Sequence, residues 1–101
     1  MSIVIDEEFR KLAEKALKKW GLESQTKMMI EECAELIQVL VKQSRNINGA
    51  NIGQIVNELV DVEIMLGQMK NIYGLNQEMW ADFRKHKLYR LKKLLEKTNG
   101  V

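Results

Sequence analysis

The sequence predicts an all-α fold, a bundle of four helices, and three observations carry that prediction. The chain has no proline, six glycines and few runs of β-branched residues, so nothing in its 101 positions favours strands over helices. Apolar residues recur at helical spacing in four stretches, and glycine or asparagine separates the stretches. At 46% apolar and 30% charged, the chain has enough core for one domain over residues 1–101 and too much for disorder.

The first helix spans Asp6 to Trp20. Asp6, Glu7 and Glu8 open it and Lys18 and Lys19 close it, as the helix dipole prefers, and Phe9, Leu12, Ala13, Ala16, Leu17 and Trp20 mark its apolar side. Gly21 breaks it. The second helix runs from about Ser24, a plausible N-cap, to about Ser44, and the polar segment Arg45 to Asn51, with Asn48-Gly49, reads as a loop. Asn51 caps a third helix that ends near Tyr73, with Gly74 as its stop, and Asn76 caps a fourth that extends to about Lys97. The third helix carries a second apolar strip of Val56, Val60, Ile64 and Gly67 away from its first. A helix apolar on two sides needs neighbours on both. Four helices in one chain leave the second place to another copy, so the bundle is expected to be completed by homo-oligomerisation, as a dimer or a tetramer.

Carboxylates interrupt the apolar faces of the two middle helices. In the second helix Glu32 and Glu35 stand three apart, and in the third Glu58 and Asp61 repeat the spacing. Residues three apart share a helix face, so each helix offers a pair of acids. At about 100° per residue, Glu32 falls between Val39 and Leu36 inside the apolar arc, and Glu58 projects between Met65 and Met69. An ionised carboxylate aimed at a core must be paired, protonated or bound to a cation. Two like charges about 4 Å apart repel by roughly 4 kcal/mol even at an effective dielectric of 20, so four together favour a divalent ion.

The remaining composition narrows the class. Cys33 is the only cysteine, which excludes an internal disulfide and a thiolate cluster, and it reads as a small core residue. No apolar run approaches the ~20 residues that span a bilayer, so a soluble, reducing, cytoplasmic setting without membrane contact is expected. The net charge of +2 is too small to call for nucleic acid. Its distribution is uneven: Arg84, Lys85, Lys87, Arg90, Lys92, Lys93 and Lys97 crowd the last helix against Asp82 and Glu96.

An all-oxygen ligand set suits Mg²⁺, with Mn²⁺ as a substitute. Iron sites in helical bundles add histidine through Glu-x-x-His repeats, and the one histidine here, His86, lies outside both acidic helices. Mg²⁺ held by a few carboxylates commonly shares its shell with substrate phosphates, and the basic last helix could neutralise them. Two plainer readings compete. The acids could be a solvated surface balanced by the basic helix, which fits Glu31 and Glu35 and fits Glu32 and Glu58 poorly. Alternatively, the chain could be an oligomeric helical binding module whose basic helix engages nucleic acid or a partner protein.

The string EECAE (31–35), followed after a loop by ELVD (58–61), resembles the EExxE…ExxD signature of the MazG-like all-α nucleoside triphosphate pyrophosphohydrolases. WGLESQ before the first motif, DVEIMLGQM within and after the second, and KLYRLKK near the end are also similar to single-domain members, so the likeness extends from Trp20 to Leu94. The resemblance implies a four-helix MazG-like bundle and Mg²⁺-dependent hydrolysis of a nucleoside or deoxynucleoside triphosphate to the monophosphate and pyrophosphate, with metal-activated water attacking the α-phosphorus. By motif position, Glu32, Glu35, Glu58 and Asp61 match the metal ligands. Glu31 matches the leading acid, a catalytic position whose role lies between supporting a ligand and orienting water. Lys87 and Arg90 match the basic pair of the last helix, which would contact phosphate and stabilise the leaving pyrophosphate. The Lys…Asn…Arg arrangement of longer members is absent, because no asparagine lies between Lys85 and Lys97. Lys42 and Arg45 are alternative phosphate contacts. For the base, Trp20 could stack and Gln25 could hydrogen-bond an edge, against the plainer readings of a core anchor and a solvated amide. Base and sugar preference, and a role in nucleotide pool sanitation as against stress or viral needs, stay open.

Overall fold

The computed structural model describes residues 6–45 and 52–98. Its elements, in order, are α1 (Glu7–Arg45), α2 (Ile52–Ile72) and α3 (Gln77–Thr98), and no strand occurs among the described residues. The all-helical expectation holds. The two helices expected on either side of Gly21 meet there with no intervening loop. Gly21 alone leaves the helical region, at φ 82° and ψ 167°, a conformation essentially restricted to glycine. The second arm of α1 resumes at residue 22, so Ser24 lies inside the helix and does not cap it. A one-residue hinge is enough because the change of direction needs a single pair of dihedrals.

Side chains and turns set the other boundaries. Asp6 Oδ1 accepts the Phe9 N–H at 2.8 Å and Asn76 Oδ1 accepts the Met79 N–H at 2.7 Å, each satisfying one of the donors that a helix start leaves free. Gly74, at φ 61°, closes α2: the Leu75 N–H reaches the Lys70 carbonyl at 2.9 Å and the Gly74 N–H that of Asn71 at 3.2 Å, the paired bonds of a Schellman stop. The expected loop at Asn48-Gly49 and the expected cap at Asn51 fall outside the described residues.

The second arm of α1 pairs antiparallel with α2, and the register is legible in three polar levels. Gln25 meets Gln68, Glu32 meets Asp61, and Glu35 meets Glu58. The numbers rise by seven and three on one helix as they fall by seven and three on the other, the spacing of a coiled-coil seam. Met65, 3% exposed, packs between the first two levels. The first arm of α1 supplies buried Ala13 and sets Phe9 against Gly67, where an added Cβ would lie 2.6 Å from the ring. Gly67 of the second apolar strip is thus covered within the chain, whereas Val56, Val60 and Ile64 stay 43–50% exposed.

α3 runs along neither α1 nor α2. It is joined to the end of α2 through Lys70, whose ammonium donates to Gln77 Oε1 at 3.1 Å and lies 4.4 Å from the Trp80 ring centre. Beyond Trp80 every residue from 81 to 97 is exposed, including the apolar stripe of Phe83, Leu88, Leu91, Leu94 and Leu95. Five such side chains left about half in water forgo on the order of 5 kcal/mol of burial, comparable to the whole stability of a small domain.

Candidate metal centre

Three carboxylates from facing turns converge in the seam. One oxygen each of Glu32, Glu58 and Asp61 lies within 4.8 Å of the others, close enough to share one ion. Glu35 joins from the exposed edge, within hydrogen-bonding reach of Glu58 and electrostatically coupled to Glu32. All four expected ligands are therefore brought together by the antiparallel register.

The electrostatics of the group are unfavourable as it stands. Glu32 Oε2 and Glu58 Oε2 are enclosed and have no hydrogen-bond partner. Burial, and then the negative charges of Glu35, Asp61 and Glu58, push the Glu32 carboxyl above the usual carboxylate range. Burial also leads for Glu58, followed by the charges of Glu35 and Asp61, against a hydrogen bond from Asn57 that pulls the other way. No lysine or arginine pairs with the cluster: the ion pairs among the described residues are Arg10–Glu7, Lys27–Glu23 and Lys93–Glu96, all within single helices. Within one chain, the basic last helix does not balance these acids among the described residues.

A depression of about 500 Å³ adjoins the cluster, lined by Val39, Lys42, Gly53, Gln54, Asn57 and Glu58. Its size is that of a small-molecule site. Lys42 thus faces the space beside the carboxylates, and Arg45 is exposed one turn further along α1. Asn57 received no role from the sequence, although it stands four before Asp61 on the same face and so had a readable signal.

Other expected residues are not part of the converging group. Glu31 is exposed. Gln25 is neither solvated nor open to a base: it is fully enclosed, its oxygen accepts from Gln68 Nε2 at 3.0 Å, and its own amide reaches Met28 Sδ at 3.8 Å. Trp20 is 50% exposed beside the hinge, with the Lys19 ammonium 5.7 Å from its ring centre, and so does not anchor the core within this chain. Lys87 and Arg90 are exposed on α3, which brings neither of them to the acids of its own chain. No helix among the described residues is long and apolar enough to cross a membrane. Compared with protein-family models, curated proteins and solved structures, the chain matches none of them.

Proposed function

We propose that the chain is a Mg²⁺-dependent nucleoside triphosphate pyrophosphohydrolase of the MazG-like kind, active as a homo-oligomer in the cytoplasm. The observation that carries this reading is the pair of enclosed, partnerless oxygens on Glu32 and Glu58, with Asp61 within 4.8 Å and no basic side chain among them. A donor set of hard oxygens carrying surplus negative charge fits a divalent cation, Mg²⁺ or Mn²⁺. Glu32, Glu35, Glu58 and Asp61 would hold it. Such an ion lowers the pKa of coordinated water and offsets charge on phosphate oxygens.

The chain's own side chains do the rest. Lys42, in the depression beside Glu58, draws the polyphosphate to the cluster. Glu31, next to Glu32 on α1, supports a ligand or orients the attacking water, which opens the bond between the α- and β-phosphates and releases monophosphate and pyrophosphate. Lys87 and Arg90 reach the site from the α3 of another copy, the same association that covers the exposed stripe of α3 and completes a four-helix bundle. Trp20, with half its surface free, is the remaining stacking surface for the base.

The test is a panel of nucleoside and deoxynucleoside triphosphates assayed with and without Mg²⁺. Pyrophosphate is the expected product, and Glu32→Gln or Asp61→Asn should lower turnover by ~100-fold or more while the protein remains helical. Orthophosphate as product would move the scissile bond, and Mg²⁺-dependent turnover retained in both variants would remove the ligand assignment. The exposed basic α3 favours one other reading, a binding module for nucleic acid or protein. Salt-sensitive DNA binding with indifference to Mg²⁺ would establish it instead.

A further inference from the structure

We infer that the corner between α2 and α3 is a second ligand site, separate from the carboxylate cluster, that takes a phosphate-class oxyanion. Lys70 is 4% exposed. Its ammonium has three donors, of which one goes to Gln77 Oε1 while the charge rests against the face of Trp80. No carboxylate among the described residues pairs with it. An enclosed cation held only by a neutral amide and a ring lacks the counter-charge that burial normally demands.

The surroundings add positive charge. Lys70, Gln77, Trp80, Arg84, Lys85 and Leu88 line a cavity of about 550 Å³. Three of these residues are cations and none is an acid, so the cavity concentrates one sign of charge. Three charges, one of them a guanidinium able to bond two oxygens at once, match the charge of a phosphate or pyrophosphate group better than a single carboxylate. The indole of Trp80 offers a face for an apolar portion, so the phosphate can be free or part of a larger molecule. The site lies about 14 Å further along α2 than Asp61, at nine residues of helical rise, and shares no residue with the metal centre. The inference does not depend on the proposed hydrolysis.

Trp80 reports on it directly. The full chain carrying Trp20→Phe, freed of divalent ions by chelation, is titrated with inorganic pyrophosphate in about 0.15 M salt while indole fluorescence is followed. A saturable change is expected, because an anion drawn to Lys70 alters the ammonium against the ring. The half-saturating concentration should rise ~tenfold in Arg84→Gln and in Lys85→Gln, both exposed positions whose replacement spares the fold. It should stay unchanged in Glu32→Gln, so that failure here and failure of the proposed activity are told apart. No saturable change up to ~10 mM, above the millimolar range where binding is worth ~4 kcal/mol, would overturn the inference. So would affinity unchanged from the Trp20→Phe parent in both basic-site variants, or a loss in Glu32→Gln.

Discussion

Two levels of the same helix seam bury polar side chains and solve the problem in opposite ways. At one end Gln25 and Gln68 are neutral, bond each other at 3.0 Å and leave the Gln25 oxygen satisfied. Seven and ten residues along, Glu32, Asp61, Glu35 and Glu58 bring like charges together and strand two enclosed oxygens. Both levels occupy equivalent positions in the register, so position does not explain the difference. A polar residue in a core is unremarkable when its partner is supplied, and among these levels it is the acidic one that leaves two enclosed oxygens without a hydrogen-bond partner.

The largest effect of substitution is expected at the neutral level. Gln25→Ala should cost about 2–4 kcal/mol of unfolding free energy, since it opens a space in the seam and strands the Gln68 amide. Leucine at both positions should cost clearly less, because no unpaired donor remains, and chemical denaturation of the single and double variants gives the coupling. If Gln25→Ala proves neutral, the seam is not packed as described. A smaller effect is expected where the first arm meets α2. Gly67→Ala sets a methyl against Phe9 and should destabilise by about 1–3 kcal/mol, less in a Phe9→Leu background. Equal loss in both backgrounds would place the strain elsewhere.

The acidic level predicts a shift whose sign is definite. Glu32 and Glu58 titrate above the ordinary glutamate value of 4.5 in the fold, so between those values the folded chain holds protons that the unfolded chain has released. Unfolding free energy therefore falls as pH rises through that window. The stabilising contribution is complete below pH 4.5 and lost as pH rises through the raised folded values. Metal-free protein should show this decline in Tm, and Glu32→Gln should flatten it and be the more stable of the two at neutral pH. A variant with the same slope as the parent would show that Glu32 is not strained by its neighbours.

Much of this arrangement was legible in the sequence because it follows from periodicity. The three-residue spacing of Glu32 with Glu35 and of Glu58 with Asp61 placed each pair on one helix face, and the apolar residues around Glu32 and Glu58 showed that the face was a buried one. Gly74 and Asn76 announced the turn before α3 through their backbone and capping chemistry. Other features depend on long-range register, which single-helix periodicity does not contain. Gln25 stands seven before Glu32 as Gln68 stands seven after Asp61, and only the antiparallel pairing turns that symmetry into a hydrogen bond. Lys70 reads as an ordinary helical lysine until the Gly74 turn swings Trp80 across it. The isolation of α3 was hidden for a related reason: its apolar stripe predicts a packed helix, and periodicity does not show that the stripe stays exposed in this chain.

Titrating the chelator-treated protein with Mn²⁺, followed by electron paramagnetic resonance of the free ion, probes the carboxylate cluster itself. Saturable binding is expected, abolished in Glu32→Gln/Glu58→Gln and accompanied in the parent by a higher Tm at neutral pH. Binding of equal strength in parent and double variant, or none in either, would contradict the claim that these helices turn their acids inward to hold a divalent cation.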